Sequence, residues 1–304
     1  MPTSASNPRP DLLDPVDVAR LGGLELTTDG IVEGFLNGQH RSPRRGFSVE
    51  FAEHRGYQAG DDLRYIDWKL AARNDRLYIK QYEEETNLRA MLVCDASQSM
   101  AWSGGPATLP KLEWSKRFLA ALALVLLRQR DATGLLTFDD DVRDVTPPRS
   151  RLAHWELIAR TLNARQAGHG TAAEPALRRV VDQLKRRGLV VFASDLLMDR
   201  DLVLKALRFL RARGHTVVVA HVMDPAELTL EGTQEVRLTD AESDQAVVLR
   251  PKDWADAYAA TVARTVAEWR AACRRSGIRY HLLRTDTPFG TALHTVLSEH
   301  ARGR

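Results

Sequence analysis

Residues 90–100 read Ala-Met-Leu-Val-Cys-Asp-Ala-Ser-Gln-Ser-Met, an apolar run that closes on Asp95, Ser97 and Ser99 at alternate positions. A short, continuous apolar run is the mark of a strand buried on both faces, as in a parallel sheet. The residues that follow it put one carboxylate and two hydroxyls at the strand's carboxyl end. An all-oxygen ligand set favours a hard cation, Mg²⁺ first, with Mn²⁺ or Ca²⁺ also compatible. Hydroxyls carry no charge, so such a site leaves part of the ion's charge uncompensated. Taken alone, the triplet is equally well read as a capping and turn cluster, since Ser and Asp favour those positions.

Working outward, the chain from residue 89 alternates strands with helices. Strands are predicted at Arg89–Cys94, Gly134–Phe138, Gly188–Ala193, Thr216–His221 and Arg279–Leu283, and helices at 112–130, 151–164, 173–187, 199–213 and 253–276. Asp139-Asp140-Asp141 makes a tight turn into Val142–Thr146, predicting an antiparallel edge strand. Residues 235–250 read as a hairpin-like insert. The expected fold class is α/β, with a doubly wound, mainly parallel sheet over residues 89–300. Residues 1–15, rich in Pro, Ser and Asn, read as disordered. Residues 16–88 read as a smaller mixed α+β segment. It holds a helix near Asp29–Leu36, a strand over Arg76–Tyr82, and between them Gly-Asp-Asp-Leu-Arg-Tyr-Ile-Asp-Trp at 60–68.

Composition narrows the function classes. The 304 residues are 44% apolar and 27% charged, as in an ordinary soluble globular protein. The longest apolar run, Phe118–Leu127, is half the roughly 20 residues a bilayer span requires. No basic n-region followed by an apolar h-region opens the chain. The two cysteines, Cys94 and Cys273, do not make a disulfide framework, which fits a reducing cytoplasm. The net charge of +3 is mild and interleaved with acids, so nucleic acid is not an expected partner.

In a doubly wound sheet, ligands bind beyond the carboxyl ends of the strands where strand order reverses. Two further residues fall at that edge. Asp195 follows the apolar strand Leu-Val-Val-Phe-Ala-Ser at 189–194, and Thr171 lies in the glycine-rich Gly-His-Gly-Thr-Ala-Ala at 168–173. Asp95, Ser97, Ser99, Thr171 and Asp195 thus form a five-residue candidate metal site. The Asp139–Asp141 turn is expected on the same edge as a solvated turn. His169, a lone histidine in a glycine-rich loop, is not expected to act as a general base.

The order D-x-S-x-S, then Thr, then Asp resembles the metal-ion-dependent adhesion site (MIDAS) of von Willebrand factor A domains. The strand–helix order resembles that fold too. The resemblance implies that the serines and the threonine ligate the metal directly or through water, that the aspartates act largely through water, and that one coordination position stays open for a partner's carboxylate. The upstream stretches Gly-Phe-Ser-Val-Glu-Phe-Ala-Glu-His-Arg-Gly-Tyr (46–57), Gly60–Trp68 and Arg-Leu-Tyr-Ile-Lys-Gln-Tyr-Glu-Glu-Glu (76–85) resemble the domain of unknown function 58 family. Its members carry a von Willebrand factor A-like domain and are linked to MoxR-type AAA+ ATPases.

The expectation is therefore a cytoplasmic, non-enzymatic adaptor or co-chaperone. It would bind Mg²⁺ and act with a MoxR-type AAA+ ATPase and a client protein. The alternative is a metal-assisted phosphohydrolase or nuclease using the same edge, although two-metal hydrolysis calls for a richer carboxylate cage than Asp95 and Asp195 supply. Neither G-x-S-x-G nor G-x-x-x-x-G-K-[ST] occurs, so serine hydrolysis and ATP hydrolysis by this chain are not expected. The loop at 60–68 reads either as a charged network docking its segment or as a partner-contacting surface.

Overall fold

The structure, a computed structural model, describes residues 49–56, 70, 77–84, 88–105, 109–231, 234–239 and 246–298. The expected disordered start, the helix near 29–36 and the loop at 60–68 lie outside the described residues. Two compact units divide what is described. The smaller contains the antiparallel pair β1 (Val49–Gly56) and β2 (Tyr78–Glu84), with Phe51 opposite Tyr82 and a register shift between Phe51 and Glu53.

The described part of the larger unit begins at Leu88 and is the doubly wound α/β sheet expected from the sequence. Its elements are β3 (Arg89–Asp95), α1 (Lys111–Arg128), β4 (Ala132–Phe138), β5 (Val142–Arg149), α2 (His154–Ala164), α3 (Ala173–Gln183), β6 (Leu189–Ser194), α4 (Arg200–Ala212), β7 (Thr216–Met223), β8 (Val236–Thr239), β9 (Ala246–Leu249), α5 (Pro251–Arg275), β10 (Arg279–Arg284) and α6 (Phe289–Ser298). The six-stranded sheet runs β10-β7-β6-β3-β4-β5. Every pairing is parallel except β4–β5, so β5 is the antiparallel edge strand. β8 and β9 form a separate antiparallel pair.

Strand parity explains the two cores, because successive side chains point to opposite faces. Ala90, Leu92 and Cys94, with Val191 and Ala193, pack under α1, α2 and α6. Met91, Val93, Val190 and Phe192 pack under α3, α4 and α5. Helix α1 is buried along most of its length, Trp114 and Phe118 included, so the Phe118–Leu127 run is core. Among the described residues no helix is long and apolar enough to cross a membrane.

Three features depart from the sequence reading. α6 was not expected, α3 ends at Gln183 rather than 187, and β1 was not read as a strand. From β3 the chain moves through β4 and β5 on one side, then crosses to β6, β7 and β10 on the other. Strand order therefore reverses between β3 and β6, and the ligand crevice of such a sheet lies between Asp95 and Asp195.

Candidate functional site at the carboxyl edge of the sheet

Parity and register place the two aspartates. Cys94 lies beside Ala193, so the next residues, Asp95 and Ser194, are neighbours across β3 and β6. Ser194 Oγ donates to Asp95 Oδ2 at 2.6 Å. The other carboxylate oxygen accepts the Ser97 backbone N–H at 2.9 Å, which turns the chain tightly off the strand. That turn brings Ser97 Oγ and Ser99 Oγ to 3.2 Å from each other, Ser99 lying in a short 3₁₀ turn over Gln98–Ala101. Asp95 and Ser97 are completely buried and Ser99 nearly so.

Asp195 continues the parity of Val191 and Ala193 and so faces α1 rather than Asp95's side. There it meets Lys111, in the first turn of α1, whose Nζ donates to Asp195 Oδ2 at 2.8 Å and to Glu227 Oε1 at 2.5 Å. Lys111 is completely buried. Burial alone would depress its ammonium, but Asp195 and Glu227 outweigh it and hold the group above its usual range. Asp195 Oδ1 accepts Leu197 N–H at 3.2 Å across a turn in which Leu196 takes φ 58°. A left-handed Leu costs on the order of 1–2 kcal/mol. Its N–H bond to Ser194 Oγ at 2.9 Å and its burial hold that turn in place.

Thr171 stands half-buried on the same edge, two residues before α3 rather than at its first turn. Gly168 N–H donates to the Ala96 carbonyl at 2.8 Å and Ala172 N–H to the Asp139 carbonyl at 2.5 Å, so the loop is laced over the ends of β3 and β4. Gly168 fits there because it lacks a side chain: a Cβ would fall 1.9 Å from Asp139 Oδ2. The Asp139–Asp141 segment corrects an expectation. Asp140 and Asp141 are exposed, but Asp139 is buried beneath Gly168 and bonded to the Arg143 guanidinium. Burial works against its charge, yet the bonds from Arg143 and the turn hold its carboxyl below the usual range. His169 is exposed.

Electrostatically the edge carries buried negative charge. Burial, and then the neighbouring Asp195 charge, push the Asp95 carboxyl up to about 7 against the bonds from Ser194 and Ser97. Within the described residues only hydrogen-bond donors reach Asp95, and no cation pairs with it. A divalent cation suits this arrangement. Ligands of Mg²⁺ at about 2.1 Å lie about 3 Å apart along an octahedron edge, and the Ser97 and Ser99 hydroxyls already stand at that separation. Asp95 would offer charge and water-mediated contact. Asp195, tied to Lys111, fits an outer role better than a direct one. No group of three or more His, Cys, Asp or Glu is placed to hold a metal ion among the described residues, and the expected set, with two carboxylates and three hydroxyls, is of another kind.

Sequence reasoning missed Ser194, Lys111, Glu227 and His221. Glu227 ends a 3₁₀ turn capped by Asp224, and His221, near the end of β7, bonds Tyr280 Oη through Nδ1 at 2.6 Å. Burial pushes His221 down to about 4, so its ring is neutral at ordinary pH.

The fold and edge define a doubly wound α/β protein with a buried, acidic, hydroxyl-rich crevice at its topological switch point. Residues 53–268 match the family described as protein of unknown function DUF58, and the chain belongs to that family. Uncharacterized protein Rv1480 of Mycobacterium tuberculosis is 30% identical over 97% of this chain and 93% of its own length. Among solved structures, conserved hypothetical protein BatB from Bacteroides thetaiotaomicron is 16% identical over 71% of this chain and all of its own, with a TM-score of 0.46. The SpRpn10 VWA domain is 11% identical over 70% of this chain and 93% of its own, with a TM-score of 0.38.

Proposed function

We propose that this chain is a metal-dependent protein-binding adaptor, or co-chaperone, that works in the cytoplasm with a MoxR-type AAA+ ATPase and has no catalytic activity of its own. Asp95, Ser97, Ser99 and Thr171 would hold Mg²⁺, with Asp195 acting from outside the first ring of ligands. The bound ion would supply an open coordination position for a carboxylate of the partner. The observation that carries this reading is the pairing of the Ser97 and Ser99 hydroxyls at 3.2 Å beside Asp95, a buried carboxylate reached only by hydrogen-bond donors among the described residues. One carboxylate and neutral hydroxyls leave positive charge on a divalent ion, which favours capture of an anionic group over repulsion.

The test is capture of a MoxR-type AAA+ ATPase by immobilised full-length protein, in Mg²⁺ and in EDTA. Capture is expected in Mg²⁺ only, and is expected to vanish for Asp95→Ala. Equal capture in EDTA, or by Asp95→Ala, would refute the reading.

A further inference from the structure

A cavity of about 270 Å³ lies between α5 and the carboxyl ends of β6 and β7. Leu196, Met223, Val262, Val266 and Trp269 give it an apolar wall, and Asp195, Glu227, Tyr258, Thr261 and Thr265 give it polar atoms. Neither Ser97 nor Ser99 lines it. An apolar cavity with a few convergent polar groups is the usual form of a ligand site.

The hydrogen-bond inventory decides what it takes. Tyr258 Oη donates to the Glu227 carbonyl at 3.1 Å, Thr261 Oγ1 to the Ala257 carbonyl at 2.9 Å, and Thr265 Oγ1 to the Thr261 carbonyl at 3.0 Å. These hydroxyls are committed as donors, and what they still offer is lone pairs. The Asp195 and Glu227 carboxylates accept only, and the thioether of Met223 is at most a weak acceptor. No Lys or Arg lines the cavity, and the neighbouring Lys111 ammonium is shared between the two carboxylates. Two carboxylates against one ammonium put more acceptor than donor charge beside an apolar slot.

We propose that this cavity binds a primary ammonium carried on a short alkyl chain, the chemistry shared by a protein lysine side chain and a free aliphatic amine. The methylenes would lie along Val262, Val266 and Trp269, and the ammonium would donate to Glu227 and to the Tyr258 and Thr hydroxyl oxygens. The lining side chains' remaining donors are at most the Trp269 indole N–H and one His221 ring N–H, so two carboxylates oppose an anion here, and a neutral alcohol forgoes the charge-assisted bonds that are the stronger kind. The inference does not depend on a metal at Asp95.

The test uses full-length protein in EDTA, with methyl-labelled Met and Val followed by NMR. Four probes are titrated: n-butylammonium, Nα-acetyl-lysine methylamide, 1-butanol and butyrate. Butylammonium is expected to shift the Met223, Val262 and Val266 methyls and to bind about tenfold or more tighter than 1-butanol; butyrate is expected not to bind. If the blocked lysine binds as well as butylammonium, the natural ligand class is a protein lysine. If only butylammonium binds, it is a free amine. Val266→Phe, which fills the slot, and Thr261→Trp, on the exposed rim, are each expected to abolish the Met223 and Val262 shifts while leaving Mg²⁺ binding unchanged. Equal binding of 1-butanol and butylammonium, binding of butyrate, no shift with butylammonium, or shifts that survive in a folded variant would overturn the proposal. Mg²⁺ titration of the same proteins after the EDTA is removed keeps the failure of this idea separate from failure of the metal reading.

Discussion

At the carboxyl edge of the sheet Asp95, Asp139, Asp195 and Asp224 are buried, and Glu227 is largely so. At the amino edge Lys185, Arg186, Arg187, Arg208, Arg213, Arg274 and Arg275 stand in water. They occupy the last turns of α4 and α5 and the loops that lead into β6, β7 and β10, neighbours in the sheet, and these segments touch. A Cβ at Gly214 would meet the Arg187 side chain at 3.0 Å, and Arg208 Nε donates to Ser276 Oγ at 2.9 Å. Both edges gather like charge, yet only one has fixed geometry. Water screens the arginines, and the ends of α4 and α5 favour positive charge, so that edge needs no partner of defined shape. Buried carboxylates have no such recourse. Each must find a donor or a cation, and the arrangement that satisfies them is what makes the carboxyl edge a site.

Removing Lys111 should break this contrast most visibly. Lys111→Met leaves Asp195 and Glu227 facing each other in the interior, and a loss of about 3–5 kcal/mol is expected in urea unfolding. A loss below about 1 kcal/mol would mean that the carboxyl edge is as forgiving as the amino edge. Gly168→Ala drives a methyl into the Asp139 carboxylate, which Arg143 and the Asp141 N–H hold in place, and should cost about 1–3 kcal/mol.

Asp95→Asn tests the edge from the other direction. In metal-free protein the Asp95 carboxyl titrates at about 7 rather than 3.8, so the folded state keeps a proton the unfolded chain has already released. Stability then falls as pH rises from about 4 to about 7. The Asn variant escapes that penalty. In EDTA it should exceed wild type by up to about 4 kcal/mol at pH 8, and the gap should close near pH 4; a gap independent of pH would contradict the burial argument. At the amino edge, Arg186→Ala should stay within about 0.5 kcal/mol.

Much of this was legible in the sequence because strands and helices announce themselves by period. The apolar runs ending in Asp95 and in Ser194-Asp195 are enough to place both aspartates at one edge. The antiparallel edge strand after Asp139–Asp141 and the 235–250 hairpin were legible from their turn residues. Lys111 was not: a lysine opening an apolar helix reads as a solvated first turn, and only the packing of α1 on the sheet, which brings it to Asp195, buries it. Asp139 failed for the same reason, since burial by Gly168 is a tertiary event in a segment that reads as a turn. Glu227 and His221 are far in sequence from Asp195, and nothing local marks them.

The central claim is that the Asp95 edge binds a divalent cation. Isothermal titration of Mg²⁺ into metal-free full-length protein at pH 8, beside Asp95→Ala and Ser97→Ala, tests it most directly. Saturable binding at one site per chain, lost in Asp95→Ala and weakened in Ser97→Ala, is the predicted result. Absence of saturable heat in wild type, with Mn²⁺ and Ca²⁺ equally silent, would contradict it.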